Sequence, residues 1–475
     1  MADAVYVTGL GSFFPGAPIT NDQMEEVLGR VHGHPSRARS RVLAQNGIVG
    51  RHYALDREGR STHRASEMAA LALRAAFESS LHSPSSLEFL AAATTQGDVN
   101  VPGFASMVHA ELDSPACEIA SLSGVCASGM MALKSAYLQV LSGEKRLAGA
   151  CASEFPSRFF KASRYEAHVP AGASLPFDVE FLRWMLSDGA GAALLAPKPA
   201  ERGLSLRLEW LELTSFAHLN PVCMYAGAKK RSDGELGPGW LDYPSFEAAA
   251  AEGAMYLRQD VRLLERIVEL GVDGFFGLVQ RGKVDPALID HVVCHYSSQA
   301  FKPRVFELLQ KAGVVVPEPR WFTNLPTRGN VGSASVFVLL DELVRSGRVR
   351  PGERVFAMIP ESGRFVVSYA LFTAVAAERP LEVRAPKSPQ AIPALASAPK
   401  SAVAQSLVRE LTRVWVDFEA RLSAVPIVQK LETMRFTLDD YKLLLLNLRP
   451  QVVEGSRWIA RAASRFDAER SPLRS

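Results

Sequence analysis

The chain has 475 residues, more than one hydrophobic core usually organises, because single cores stop growing at roughly 250–300 residues. Hydrophobic residues make up 48% and charged residues 22%, which suits a soluble globular protein of two core-sized units with or without a small appendage. The 53 basic residues nearly cancel the 50 acidic ones and leave a formal charge of +3, which argues against nucleic acid as the main partner, since that would need a concentrated basic surface.

In chain order, residues 4–11 (AVYVTGLG) read as a short buried strand closing on glycine. Residues 63–80 (HRASEMAALALRAAFESS) carry apolar positions three and four apart and read as a helix. Further apolar runs at 89–94 (FLAAAT), 147–152 (LAGACA), 190–195 (AGAALL), 290–294 (DHVVC), 354–359 (RVFAMI) and 366–373 (VVSYALFT) read as strands. Strands alternating with helical stretches indicate an α/β architecture with parallel pairing. The strands near 190 and 366 follow their predecessors too closely for a helical crossover and are expected to pair antiparallel.

There is also an internal echo. SLSGVCASGMMALKSAYLQVLSG in the first half and TRGNVGSASVFVLLDELVRSG in the second each pass from a small-residue stretch into a long helix and end on Ser-Gly, a favoured helix stop. Both suggest a duplicated fold. From 378 to 400 the composition turns to proline, alanine, lysine and serine, as in a linker. Residues 401–475 form a helical extension, in which Thr437 and Asp440 have the spacing of a capping box ahead of Tyr441, Leu444, Leu445 and Leu448. Helices with apolar faces but no complete bundle are expected to dock on something.

Five cysteines, Cys117, Cys126, Cys151, Cys223 and Cys294, are too few and scattered for a disulfide framework, and none forms a Cys-x-x-Cys pair. The N-terminus has no basic segment leading into a long apolar one, and no apolar run reaches about 18 residues. No signal peptide and no membrane span are expected, and the chain reads as a protein of the reducing cytoplasm.

Cys126 stands apart from the other cysteines. It lies in Ser-Gly-Val-Cys-Ala-Ser-Gly immediately before a helix, where unpaired amides and the positive end of the macrodipole favour thiolate. His295 follows the apolar strand IDHVVC, at the end of a strand, where α/β folds place catalytic loops. Asn330 lies in Thr-Arg-Gly-Asn-Val-Gly ahead of the helix VFVLLDELV. Taken singly, a buried cysteine, a hydrogen-bonded histidine and a turn asparagine are the commoner readings. Together, a thiol nucleophile, a neutral imidazole and an amide donor can form a thioester and then stabilise an enolate. Glu154 and Asp188 lie close to strand ends, where turn and cap roles are the simpler reading. The basic cluster Lys229, Lys230 and Arg231 reads first as a solvated turn, although it could meet an acidic carrier protein.

These three segments, in this order, resemble the Cys-His-Asn set of ketoacyl synthase III enzymes in the thiolase superfamily. The opening VYVTGLGSFFPG followed by TNDQMEEVL, the segment NGIVGRHY, and LSDGAGAALLAP at 186–197 carry the resemblance over roughly residues 4–377. It implies a duplicated five-layered α-β-α-β-α fold, with a first half at 1–200 and a second at 201–377, usually assembled as a homodimer. It further implies that Cys126 takes an acyl group from a coenzyme A or acyl carrier protein thioester. His295 and Asn330 would then hold the second thioester as its carbanion forms, often by decarboxylation of a malonyl unit. The amide of Cys126 would serve the oxyanion hole, with Ser362 and Gly363 of the Glu361-Ser362-Gly363-Arg364 turn beside it. No cofactor is implied beyond the thioester substrates themselves.

The chain also departs from the family. The usual His-Gln-Ala-Asn is here His-Tyr-Ser-Ser, the glycine-rich closing loop is Pro-Glu-Ser-Gly-Arg-Phe, and the aromatic-and-arginine clamp for coenzyme A is missing from RARSRVLAQNGIVGRHY. These departures point to a specialised lipid branch, similar to the enzymes that make dialkylresorcinols or cyclohexanediones from an acyl and a β-ketoacyl thioester. The alternatives are an acyltransferase that passes the Cys126-bound acyl group to an alcohol or amine, and a non-catalytic partner subunit. The extension RFTLDDYKLLLLNLRPQVVEGSRWIARAAS resembles the start of a haem-oxygenase-like iron-dependent oxidase domain. No histidine follows His295, so no metal is expected in this chain, and the segment reads as a truncated or split domain or as a docking element for a partner carrying the rest.

Overall fold

The computed structural model of the chain describes residues 2–377 and, beyond them, Val425, Lys430, Thr437, Asp439 and Asp440. The chain divides into two units, Met1–Ser388 and Pro389–Ser475. In the second unit Thr437 and Asp440 form the box read from their spacing. The Asp440 carboxylate accepts the Thr437 amide at 3.0 Å, and the Thr437 hydroxyl accepts the Asp440 amide at 3.2 Å. The linker, the apolar faces beyond Tyr441 and the oxidase-like segment lie outside the described residues.

The core elements of the first unit are β1 (Tyr6–Phe13), α1 (Ala65–Ser80), β2 (Phe89–Thr94), β3 (Glu118–Ser123), α2 (Ser128–Leu141), β4 (Ala148–Glu154) and β5 (Gly189–Ala196). They continue as β6 (Leu204–Ser215), α3 (Leu264–Gln280), β7 (His291–Cys294), β8 (Trp321–Phe322), α4 (Ser335–Arg345), β9 (Arg354–Glu361) and β10 (Val366–Ala376). Ten strands form one sheet in the order β8-β7-β9-β10-β6-β1-β5-β4-β2-β3. The short antiparallel pairing of Tyr6 with Arg207 and Val7 with Leu206 joins its two five-stranded parts.

Those parts repeat one plan. In the first, β2 runs parallel to β3 and β4, while β5 runs antiparallel to β4 and β1. In the second, β7 runs parallel to β8 and β9, while β10 runs antiparallel to β9 and β6. The strands near 190 and 366 pair antiparallel as expected, but a short connection accounts only for β10: residues 155–188 between β4 and β5 hold the helices Ser163–Glu166 and Phe177–Arg183. Three strands of the sheet were not read from the sequence, and one of them, β8, is only the pair Trp321–Phe322. β3 (EIASLS) is an exposed edge strand without an apolar run, and the alternation in β6 is interrupted by Arg207, Glu209 and Glu212.

Side chains alternate across each strand and so feed separate cores. Phe89, Ala91 and Ala93 of β2 join an inner core with α2 and α4, whereas Leu90 and Ala92 join an outer core with α1. In β9, Val355, Ala357 and Ile359 face the same inner core, and Phe356 and Met358 face a second outer core with α3. The result is helix, sheet, helix, sheet, helix. Small residues permit the close approaches this needs: a Cβ on Gly11 would lie 2.3 Å from the carbonyl oxygen of Ala72 in α1. Gly129, in the first turn of α2, meets the loop ahead of α4 as closely, since a Cβ there would lie 2.1 Å from the Ser333 oxygen. Among the described residues, no helix is long and apolar enough to cross a membrane.

Candidate active site

The three candidate residues come from three chain reversals at the centre of this arrangement. Cys126 ends the connection from β3 and lies two residues before α2. His295 follows β7 directly, and its amide continues the ladder by donating to Met358 of β9 at 3.1 Å. Asn330 precedes a short 3-10 turn that leads into α4, and its carbonyl accepts the Ser187 amide at 2.8 Å. All three are buried, with 6%, 5% and 5% of their surface exposed.

They meet at two adjoining cavities. The first, about 740 Å³ including its opening to solvent, is lined by Cys126 and Asn330 with apolar walls that include Phe155, Phe159, Phe181 and Met185. The second, about 470 Å³, is lined by Cys126 and His295 with walls that include Ile267, Val268, Val305 and Met358. Ser297 and Ser362 lie on both. Mostly apolar walls with a few convergent polar groups are what small-molecule sites require.

The polar groups are arranged for donation. Burial pushes the His295 imidazole down to about 4, so it is neutral near pH 7, and its Nε2 is buried without a hydrogen-bond partner. The Asn330 Oδ1 accepts the Gly332 amide at 3.0 Å, which fixes the amide plane and leaves its Nδ2 near the Ser297 carbonyl at 3.5 Å. Ser297 holds a left-handed backbone with φ of 57°, a conformation uncommon for a non-glycine residue and frequent at functional sites. Nothing in the string Tyr-Ser-Ser-Gln announced that turn.

The thiol differs from the sequence expectation. A free helix N-terminus would lower it, yet the Cys126 thiol is pushed well above its ordinary value by burial, by Glu361 and by Glu154. The reason is local. The amides on either side, Val125 and Ala127, donate to the Glu361 Oε2 at 3.2 and 3.1 Å, so the helix end is already occupied by a carboxylate. Of the closing turn, Ser362 lines both cavities and its hydroxyl donates to Gln259 Oε1 at 3.2 Å. Gly363 turns its carbonyl to the Cys223 amide at 2.8 Å.

Glu154, read first as a turn or cap residue, lines the first cavity, and its Oε1 accepts from the amides and hydroxyls of Thr95 and Ser333. Asp188 lines neither cavity. Fully buried, it is pushed up to about 7 and ties Ala54 and Ser157 together, a structural role. The basic cluster is internally paired: Lys230 with Asp260, Arg231 with Asp233 and Lys229 with Glu252. Cys151, Cys223 and Cys294 are buried and Cys117 is half-buried, all with free thiols.

Residues 279–359 match the C-terminal family of 3-oxoacyl-[acyl-carrier-protein (ACP)] synthase III, a span that includes His295 and Asn330. The acetoacetyl CoA synthase NphT7 of Streptomyces sp. (strain CL190) is 25% identical over 369 residues, covering 77% of this chain and 97% of that protein. The chain is a condensing enzyme of the ketoacyl synthase III type. Its fold is that of solved relatives. The synthase III from Aquifex aeolicus superposes with a TM-score of 0.57 at 18% identity, covering 78% of this chain and 99% of the other. OleA of Xanthomonas campestris, solved with lauric acid and lauroyl-CoA bound, superposes with a TM-score of 0.61 at 19% identity, covering 78% and 100%. This condensing enzyme is therefore an acyltransferase that joins two acyl units by Claisen condensation, on the mixed α/β fold the sequence implied.

Proposed function

We propose that Cys126 carries the first acyl group, that His295 and Asn330 hold the thioester oxygen of the second as its enolate forms, and that both substrates bear apolar chains. The single observation that supports this most is the position of Cys126 on two apolar cavities, one bearing Asn330 and the other His295. The order of events follows from the groups present. The Cys126 sulfur attacks the first thioester carbonyl, and the carrier thiol leaves. The second thioester then enters with its oxygen toward the His295 Nε2 and the Asn330 Nδ2. Two neutral donors stabilise an enolate without an acid that must stay protonated at pH 7. An α-proton leaves the second thioester as its enolate forms, the carbanion attacks the Cys126-bound carbonyl carbon, the carbon–sulfur bond breaks, and the released Cys126 sulfur takes up a proton in its place. Amides of Cys126, Ser362 and Gly363 serve the oxyanion in both attacks.

Each methylene moved from water into such walls contributes about 0.8 kcal/mol, so a chain of several carbons is held by the cavities alone. This favours the branch that joins an acyl to a β-ketoacyl thioester, delivered on an acyl carrier protein or coenzyme A, in a cytoplasmic homodimer. The oxidase-like segment would act through a partner carrying the rest of that domain. Product analysis tests the reading. The protein is given octanoyl thioester together with either malonyl or 3-oxooctanoyl thioester, and products are identified by mass. A product containing both chains is expected with the 3-oxooctanoyl partner. Product from malonyl thioester alone would contradict the two-chain reading. Transfer of the octanoyl group to an added alcohol, unchanged by Asn330→Ala, would instead favour the acyltransferase.

A further inference from the structure

Glu361 takes the position beside the nucleophile that its chemistry makes hardest to justify as packing. It is the last residue of β9, only 5% exposed, and it reaches from the second half of the molecule to the helix start of the first. Its Oε2 receives the two amides that flank Cys126. Glycines make the slot. A Cβ on Gly124 would lie 3.6 Å from Oε2, and one on Gly363 would lie 2.9 Å from Oε1. No cation pairs with it among the described residues. A buried carboxylate with two amide donors and no counter-charge is costly to keep ionised, and a thiolate forming next to it would add a like charge.

The like-charge part of that cost is avoided if the two groups share a single negative charge. We propose that Glu361 is the proton acceptor for Cys126 during acyl transfer. The Sγ–H bond breaks and the proton passes to the Glu361 carboxylate as the sulfur attacks the thioester carbonyl carbon. The carbonyl pair moves to oxygen, and collapse of this intermediate breaks the bond to the carrier sulfur. The carrier thiolate takes the proton back from Glu361, which leaves acyl-Cys126, a free carrier thiol and the original carboxylate. The other titratable groups around the thiol fit this assignment. Glu154 is committed to four donors. His295 is a weak base in its buried setting and is kept for the second half-reaction. Burial raises the Glu361 carboxyl, which brings it closer to the range where a general base works.

The proposal rests on Cys126 being the acylated residue, and the test separates the two. Single-turnover acylation by octanoyl-coenzyme A and octanoyl-pantetheine is followed by intact mass in wild type and E361Q from about pH 6 to 10. Glutamine keeps an oxygen for both amides, so the turn stays capped. Near pH 7, E361Q should load at least roughly 100-fold more slowly, the range a positioned base contributes. It should approach wild type at alkaline pH, where thiolate forms unaided. Equal or faster loading by E361Q near pH 7 would reduce Glu361 to a cap and overturn the proposal. A wild type that gives no adduct would remove the acyl-Cys126 reading and this proposal with it. A second measurement needs no variant: alkylation of wild-type Cys126 by iodoacetamide, which reports preformed thiolate. It should rise only at alkaline pH while acylation is already fast near neutrality. Full alkylation at pH 7 would mean that no base is needed.

Discussion

The turn at Cys126 and the turn at Asn330 are the same element used twice. Each residue lies seventeen positions before the glycine, Gly143 or Gly347, that follows its helix, and each helix follows the third strand of its half. Each helix start is also held by a glutamate from the opposite half, at the end of that half's fourth strand: Glu361 at the Cys126 turn and Glu154 at the Asn330 turn. The difference lies in how the carboxylates are paired. Two hydroxyls join two amides on Glu154, whereas Glu361 has amides only. On the function proposed above, duplication supplies one turn fixed for donation and one whose carboxylate exchanges a proton, so that the same scaffold serves as nucleophile on one side and enolate binder on the other.

The largest effect should come from separating those two duties. Asn330→Ala should leave Cys126 acylation near wild type while lowering condensation by roughly 10²–10³-fold, the loss typical of one missing oxyanion donor. Equal loss of both steps, read by single-turnover mass and product formation, would mean that the turns are not divided in labour. Next is the seam between the halves. Gly129→Ala would drive a Cβ into the Ser333 oxygen, and a loss of about 3 kcal/mol or more in urea unfolding is expected. An unchanged midpoint would show that the seam relaxes freely.

Removing Glu154 sharpens the contrast between the two carboxylates. Glu154→Ala strands buried donors and should cost about 2–3 kcal/mol. Glu361→Gln should cost little stability and act mainly on rate. A reversed order of stabilities would break the comparison. The smallest effect concerns His295. Its imidazole resists charging in the folded protein and titrates there at about 4. As pH falls below about 6.5 the unfolded chain binds this proton first, so stability is lost progressively toward pH 4, roughly 2 kcal/mol by about pH 5. His295→Asn should remove that part of the acid sensitivity, seen as a smaller shift of the urea midpoint between pH 7 and 5.

Much of this was legible in the chain because it lay in local pattern. Apolar runs such as FLAAAT and RVFAMI located central strands, and small residues before long helices located both functional turns. The set Cys126, His295 and Asn330 could be read because each sits at the end of such a pattern. What escaped depends on partners distant in sequence. β3 and β6 carry polar residues because one is an exposed edge and the other is only half-buried. The left-handed turn at Ser297 has no glycine to mark it. Above all, the helix end at Cys126 looked like a free anion site, and only the fold brings Glu361 across to fill it.

The most direct test of the account is the intact mass of the protein after incubation with a panel of acyl-coenzyme A and acyl-carrier thioesters, with Cys126→Ala alongside. A gain of one acyl group is expected in wild type and none in the variant, with the panel revealing donor and chain length together. A folded wild type that gains no mass with any donor, or a variant that gains as much, would contradict it.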